Sequence, residues 1–266
     1  MSARDAAPAE RLVFLGTGTS VGIPMIGCDC AVCRSGDPRN HRRRTSLYLA
    51  AAGRHVVVDT PPDFREQVLA YGVPRVDAVL FTHSHADHLF GFDDIRRFNT
   101  IQDSIIPAYG HPDTMADVRR VFNYIGDRRN REGLMRPLVT FHDVEEPFNL
   151  GDLRVQPLPV EHGERATYGY LFETGRCRVA FVPDCHAMVE SVVERLRGVD
   201  IMILDALRHR PHPTHLTVAQ SLELLGRIGA GEAYLVHMCH DLDHAATSAI
   251  LPAGVHVSYD GLTLSL

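Results

Sequence analysis

The sequence predicts an α/β protein in which two sheet layers pack together and helices cover their outer faces. Strand-length apolar runs alternate with segments of helical periodicity, which is typical of this class. Both halves of the chain pass from strands into helices, so we expect one sheet from each half. A chain of 266 residues can bury a substantial core, and we predict a single domain over 1–266.

In the first half, strands are predicted over 11–15, 47–51, 55–59, 76–81 and 105–109, and helices over 63–71, 92–99 and 113–125. Phe64, Gln67, Val68 and Tyr71 share a helix face, and Asp63 is placed to cap that helix. Residues 1–10 are expected to be a disordered tail, and the Arg-rich stretch 127–136 is expected to be exposed.

In the second half, strands are predicted over 153–160, 167–173, 177–182, 200–205, 233–236, 255–258 and 262–264, and helices over 187–196 and 217–228. Between the first two strands of the chain, residues 20–44 form a long connection that needs something to hold it in place. The glycine turn 16–19 lacks the ending of a phosphate loop, which favours a tight turn. The run Arg42-Arg43-Arg44 is interpreted as a solvated face.

Composition limits the function classes. The formal net charge of −6 gives no general attraction for nucleic acid or anionic membranes. No apolar run approaches the length of a membrane span, and the first residues lack the apolar region of a signal peptide. Three of the six cysteines lie within 28–33, a spacing that favours metal binding over disulfides. We therefore expect a cytoplasmic protein.

The motif Thr82-His83-Ser84-His85-Ala86-Asp87-His88 is the strongest signal for chemistry. It follows the predicted strand 76–81, so its side chains would project from a strand's carboxyl end. Imidazole and carboxylate suit Zn²⁺, Mn²⁺ and Fe²⁺, and the density of donors suggests two metals. Four more candidate ligands also follow apolar strand-like runs: Asp59, His162, Asp184 and His237.

With these residues in this order, the chain resembles the metallo-β-lactamase superfamily from Leu12 to its last strands. The resemblance implies a four-layer αββα sandwich with a dinuclear site at one edge, where a metal-bridging hydroxide is the nucleophile. It implies a first metal held by His83, His85 and His162, a second held by Asp87, His88 and His237, and Asp184 bridging them. Asp59 would orient a ligand histidine. The two metals would be Zn²⁺ or Mn²⁺.

Cys28, Cys30 and Cys33 supply three of the four ligands of a tetrahedral zinc site. The fourth could be His240 or Cys239, and the alternative is three buried or redox-active cysteines without a metal. A cysteine loop of this kind with a late His-x-x-His resembles the PhnP-type cyclic phosphodiesterases. That resemblance implies a structural zinc that orders 20–44 and favours His240.

His215 lies between a predicted strand and helix, on a segment suited to form the edge of an active site. By resemblance to phosphodiesterases and tRNA-processing enzymes, it would be a general acid or phosphate ligand. The alternative is that His215 only supports the start of the helix.

The predicted function is a dinuclear metal-dependent phosphodiesterase. Its substrate would be a small phosphate diester, including cyclic ribose phosphates, and Asp87 and His215 would be the catalytic residues. The alternatives are a tRNA 3′-processing endoribonuclease, a thioester hydrolase of the glyoxalase II type, and a non-enzymatic carrier resembling the pyrroloquinoline quinone biosynthesis protein. A small-molecule partner is expected rather than nucleic acid or a membrane, and the resemblance suggests a homodimer.

Overall fold

Two seven-stranded sheets face one another in the computed structural model, which describes residues 10–126 and 136–266. The first contains β1 (Arg11–Gly16), β2 (Ser46–Ala51), β3 (Arg54–Val58), β4 (Ala78–Leu80), β5 (Ile106–Gly110), β6 (Val139–Asp143) and β14 (Thr263–Ser265), in the order β14-β1-β2-β3-β4-β5-β6. The second contains β7 (Phe148–Leu150), β8 (Leu153–Val160), β9 (Thr167–Glu173), β10 (Arg178–Val182), β11 (Ile201–Asp205), β12 (Glu232–Val236) and β13 (Val255–Val257), in the order β13-β12-β11-β10-β9-β8-β7.

Each sheet has a parallel part, in which neighbouring strands end on the same side. In the first sheet β3, β4, β5 and β6 are parallel, and in the second β10, β11, β12 and β13 are parallel. The remaining ladders are antiparallel. Because ligands in such sheets bind beyond the carboxyl ends of the parallel strands, this topology gathers strand-end residues at one edge of the molecule.

The helices are α1 (Phe64–Ala70), α2 (Ala86–Leu89), α3 (Arg96–Gln102), α4 (Pro112–Val121), α5 (Glu190–Leu196), α6 (Val218–Ile228) and α7 (His244–Ser248). Helix α6 begins with a capping box between Thr217 and Gln220 and ends at Gly229, whose φ of 66° is left-handed. No helix of the described chain is long and apolar enough to span a membrane.

Three apolar layers hold the sheets and helices together. Alternation along β11 shows how they form: Ile203 lies between the sheets, whereas Met202 and Leu204 pack outward with α5 and α6. On the other side, α1, α3 and α4 cover the first sheet through residues such as Phe64 and Met115. The predicted α/β class and the four-layer αββα sandwich are thereby confirmed.

Several local predictions were wrong. Strands β6 and β7 were not predicted, and the helix expected over 92–99 is a 3-10 turn, Phe92–Ile95, followed by α3. Asp63 precedes α1 but does not cap it, because its carboxylate accepts hydrogen bonds from the backbone N and Nη1 of Arg44, each at 2.9 Å. Of the predicted tail, residues 1–9 lie outside the described chain, as do 127–135 of the Arg-rich stretch.

The connection over 20–44 is anchored by a buried arginine. Arg42 is only 1% exposed, and its guanidinium donates to the carbonyl oxygens of Cys239 at 3.2 Å and Leu242 at 2.8 Å. The interpretation of 42–44 as a solvated face is therefore wrong for Arg42. The glycine turn before this connection is a site of close packing, because a Cβ on Gly16 would lie 2.0 Å from the carbonyl oxygen of Arg44.

Candidate metal centre

The predicted ligands meet where the parallel strands of both sheets end. Asp59 follows β3 and the histidine motif follows β4, so both come from the first sheet. Asp184 follows β10 and His237 follows β12, so these come from the second sheet, as does His162 after β8. The site therefore lies across the junction of the two sheets.

His83, His85 and His162 form one group whose ring nitrogens lie within 4.8 Å of one another. His83 Nε2 is 2.8 Å from His85 Nδ1. The carbonyl oxygen of Thr214 accepts the Nδ1 hydrogen of His162 at 2.8 Å, which leaves His162 Nε2 as a lone-pair donor toward the group. Burial lowers the pKa of His83, His85 and His162, which favours the neutral imidazole that binds metals.

Asp87, His88 and His237 form the second group, and Asp184 lies between the two. Asp184 Oδ2 is 3.2 Å from His88 Nε2, and its Oδ1 is 3.3 Å from His237 Nε2 and 3.7 Å from His162 Nε2. Burial alone would raise the pKa of Asp184, but His237 and His88 lower it below its ordinary value. This carboxylate is placed to contact metals on both sides.

The donor set is suited to divalent cations. Among the described residues, several buried donor atoms have no hydrogen-bond partner: His88 Nε2, Asp184 Oδ2 and both ring nitrogens of His237. Buried polar atoms are seldom left without partners in proteins, so such a concentration indicates that something else binds them. Imidazole nitrogens and carboxylate oxygens are ligands that Zn²⁺ and Mn²⁺ both accept.

Asp59 supports this site from behind. It is fully buried, and its Oδ2 accepts the Nδ1 hydrogen of His88 at 2.7 Å and the Thr82 hydroxyl at 2.8 Å. Its Oδ1 accepts the backbone N–H of Thr82 at 2.8 Å, and its own φ is 63°. These bonds fix the hydrogen of His88 on Nδ1 and turn Nε2 toward Asp87 and Asp184.

His215 lies beside the two groups and has a partner that was not predicted. Its ring is stacked on His237 at a centroid distance of 4.7 Å, and its Nε2 is 3.9 Å from Asp184 Oδ1. Asp205, the last residue of β11, contacts His215 Nδ1 through Oδ2 at 2.7 Å. Burial lowers the pKa of His215 to about 4 and raises that of Asp205. The run Met202-Ile203-Leu204-Asp205 has the same strand-end pattern as the candidate ligands and could have identified Asp205.

The cysteine loop forms a separate cluster with His240. The His240 Nδ1 atom lies 3.1 Å from Cys28 Sγ, 3.5 Å from Cys30 Sγ and 3.7 Å from Cys33 Sγ. The Cys239 sulfur instead accepts the backbone N–H of Asp241 at 3.3 Å. A backbone hydrogen bond from Cys33 lowers the pKa of Cys30 to about 7, whereas burial raises that of Cys33 to about 11. Three sulfurs and one imidazole nitrogen are a ligand set of structural zinc.

Comparison with known proteins agrees with this architecture. Residues 54–238 match the family described as Beta-lactamase superfamily domain. The chain is 35% identical over 257 residues to an octanoyltransferase of Porphyromonas gingivalis, covering 95% of this chain and 51% of that protein. It thus spans about half the length of this relative, whose named activity belongs to that longer protein.

Two solved structures are also similar. A diphosphatase from the PhnP family has a TM-score of 0.88 and 40% identity, covering 97% of this chain and 98% of that one. Zn²⁺-bound PqqB from Methylobacterium extorquens has a TM-score of 0.76 and 23% identity, covering 96% and 100%, and shows the shared fold alone. The family match over most of the chain and the near-complete alignment at 40% identity lead to one conclusion: the chain belongs to the β-lactamase superfamily of metal-dependent hydrolases and, within it, to the PhnP family.

Proposed function

We propose that the protein is a dinuclear metal-dependent phosphodiesterase acting on a small phosphate diester, including cyclic ribose phosphates. The observation that carries this proposal is the position of His215, which brings a buried imidazole within 3.9 Å of the carboxylate between the two ligand groups. A phosphoryl group bound at the metals would then have a proton donor beside its leaving oxygen.

In this proposal His83, His85 and His162 would hold one metal, Asp87, His88 and His237 would hold the other, and Asp184 would serve both. When bound, two divalent cations neutralise phosphoryl charge and lower the pKa of a water molecule, which supplies the nucleophile. Asp59 and the Thr214 carbonyl keep their histidines in the tautomer that presents Nε2.

His215 is proposed to protonate the leaving oxygen through Nε2. In the free protein its pKa is low because the ring is buried. The negative charge of an incoming phosphate opposes that effect, and Asp205 stabilises the imidazolium through Nδ1. Substrate binding would therefore favour the protonated form of His215, which can then donate a proton to the leaving oxygen.

A diphosphate is a second candidate substrate class, since the PhnP-family relative of 40% identity is described as a diphosphatase. Phosphodiesters and diphosphates present the same electrophile, a phosphorus with a charged oxygen and an oxygen leaving group. The site could thus act on either, and the difference depends on what contacts the rest of the substrate.

We further propose that Cys28, Cys30, Cys33 and His240 hold a structural zinc, which raises the expected content to about three metals per chain. The homodimer and the cytoplasmic location suggested by the sequence stay predictions, and light scattering on the purified protein would test the first.

The function is tested by assaying protein loaded with Zn²⁺ or Mn²⁺ on bis(4-nitrophenyl) phosphate, a 2′,3′-cyclic nucleotide, diadenosine 5′,5′-diphosphate, pre-tRNA and S-lactoylglutathione. We expect turnover of phosphoric esters or anhydrides of small molecules. Cleavage of pre-tRNA alone would favour the endoribonuclease, and cleavage of the thioester alone the glyoxalase II type. If two metals bind at this site and nothing is cleaved, a carrier is the better interpretation.

Asp87→Ala should lower kcat more than about 100-fold, because even residues that only support metal ligands contribute about 10–100-fold. The control is Asp152→Ala, which changes an exposed aspartate in the turn between β7 and β8. Circular dichroism should show both variants folded. Near-normal turnover by Asp87→Ala would contradict the assignment of this site.

A further inference from the structure

His212 lies at the edge of the candidate centre and takes no part in the reaction proposed above. His212 is half-buried, and its ring lies 5.1 Å from that of His215, centroid to centroid, at an angle of 52°. His215 thus contacts both Asp205 and His212, and His212 lies on the connection between β11 and α6.

Hydrogen bonds and prolines restrict the motion of the connection between β11 and α6. Its two ends are joined by backbone hydrogen bonds from Leu207 N to Leu216 O and from Val218 N to Arg208 O, each at 3.0 Å. The Arg208 guanidinium donates to the carbonyl oxygens of Arg210 at 3.1 Å and Pro211 at 2.8 Å. His212 also lies between Pro211 and Pro213, whose rings restrict the backbone. A group on such a loop loses little entropy when it binds a ligand.

The hydrogen bonds of His212 define its tautomer. Its Nδ1 is 3.3 Å from the backbone N of Thr214 and 3.2 Å from the Thr214 hydroxyl. A backbone N–H can only donate, so Nδ1 is the acceptor and the ring hydrogen is on Nε2. Among the residues that the structure describes, no acceptor contacts that Nε2–H. His212 thus has an N–H donor on a ring that neighbours His215, the proposed acid.

We propose that His212 binds a second phosphoryl group of the substrate through Nε2–H, and that it thereby favours diphosphate diesters over simple phosphodiesters. The inference rests on the proposed function, because it needs the scissile phosphate to lie beside His215. In a diphosphate the second phosphorus is separated from the first by a single bridging oxygen. An N–H donor adjacent to the proton donor for the scissile bond is therefore suitably placed for its charged oxygens.

The test compares diadenosine 5′,5′-diphosphate with bis(4-nitrophenyl) phosphate, using the metal-loaded protein. His212→Ala should raise KM for the diphosphate about tenfold or more, the loss typical of a hydrogen bond to a charged acceptor, and leave KM for the phosphodiester essentially unchanged. His212→Gln should recover much of the loss, since its side-chain amide can place an N–H close to the position of the imidazole Nε2–H. His209→Ala is the control, because His209 is an exposed histidine of the same loop.

Binding supplies a readout that does not depend on turnover. Calorimetry with the methylene-bridged analogue of the diphosphate, which cannot be cleaved at the bridging atom, should show a matching loss of affinity in His212→Ala and not in His209→Ala. Equal effects of His212→Ala on both substrates, or no effect on either, would overturn the inference while leaving the phosphodiesterase intact. A wild-type protein that cleaves the phosphodiester and neither cleaves nor binds the diphosphate would do the same. If the wild type cleaves neither substrate, the proposed function itself fails.

Discussion

Two buried aspartates contact histidines of the centre in the same way from opposite sheets. Asp59 follows β3 and accepts the Nδ1 hydrogen of His88, and Asp205 ends β11 and contacts Nδ1 of His215, both at 2.7 Å. A carboxylate in this position fixes the hydrogen on Nδ1 and leaves Nε2 for chemistry. The difference lies in the partner, since His88 is a proposed metal ligand and His215 a proposed acid.

Asp205→Asn should therefore reduce kcat for bis(4-nitrophenyl) phosphate by about 10–100-fold, because a neutral amide stabilises the His215 imidazolium less than a carboxylate does. Metal content should stay at the wild-type value. Asp59→Asn is the matched comparison, and it should instead lower metal content, because its partner is a ligand. Initial rates and elemental analysis of the two variants separate these outcomes. A wild-type rate in Asp205→Asn would show that His215 needs no such partner.

At this scale the sequence predicts most of the centre. Asp59, His162, Asp184 and His237 were selected as candidates because each follows an apolar strand run, and the same pattern applies to Asp205, which was overlooked. The Thr214 carbonyl could not have been predicted in this way. Every residue has a carbonyl oxygen, so residue identity does not single out this one. Only the folded loop places it 2.8 Å from His162 Nδ1.

Among the elements, the connection between β1 and β2 shows how a long irregular segment can be kept in place. Near its ends, Asp260 accepts hydrogen bonds from the Thr17 hydroxyl at 2.8 Å and the Arg43 backbone N–H at 2.7 Å. In its middle, the cysteine cluster meets His240, while Arg42 binds the carbonyls of the turn that carries His240. The connection and the turn at 239–242 therefore stabilise each other.

Cys30→Ser should remove one metal per chain and lower the melting temperature, while kcat of the metal-loaded protein changes little, since the cluster is separate from the proposed active site. Cys239→Ser is a stringent control. It alters the neighbouring cysteine, whose sulfur faces Asp241 N–H instead of the cluster, so it should keep the full metal content. Elemental analysis and thermal unfolding of both variants test this prediction. The structural-zinc proposal fails if Cys30→Ser retains as much metal as Cys239→Ser.

The elements that were predicted incorrectly have a common physical origin. Local sequence favours a solvated arginine run over 42–44, but the carbonyls that bind Arg42 come from residues 197 and 200 positions away. Strands β6 and β7 contain exposed polar positions and give little apolar signal. In each case the conformation depends on partners that local patterns do not contain.

For the whole molecule, hydrogen bonds join the two sheets just before the histidine motif. Tyr170 of β9 donates its hydroxyl hydrogen to the Phe81 carbonyl at 2.7 Å, and the backbone N–H of Tyr168 donates to the Thr82 carbonyl at 2.9 Å. The two acceptors are the two residues that precede His83. The second sheet thus fixes the position of the motif carried by the first.

Tyr170→Phe should lower the free energy of unfolding by about 1–3 kcal/mol, because it leaves the buried Phe81 carbonyl without this donor. Tyr168→Phe serves as the control, since Tyr168 makes its contact through the backbone and keeps it. Urea denaturation of the metal-free variants gives both values. Equal stability of Tyr170→Phe and the wild type would mean that the hydrogen bond between the sheets contributes nothing.

The overall architecture could be predicted because its periodic signals are strong. Continuous apolar runs such as that of β11 and the apolar face of α6 identify the layers, and the candidate ligands at strand ends indicate the edge at which they meet. The order of strands within each sheet does not follow from such signals. The pairing of β14 with β1 joins the two ends of the described chain, and no local pattern specifies it.

Because the candidate ligands are divided between the two sheets, metal supply is expected to affect the stability of the protein in a cell. Residues 83–88 come from one sheet and His162, Asp184 and His237 from the other, so neither half can assemble the centre alone. Cations that bind only when the two sheets are packed together shift the population toward that folded state by mass action. Metal supply would then set how long a newly made chain survives degradation, and limited proteolysis should be faster after chelation. Metal binding at the candidate centre would thus depend on correct assembly of the two sheets.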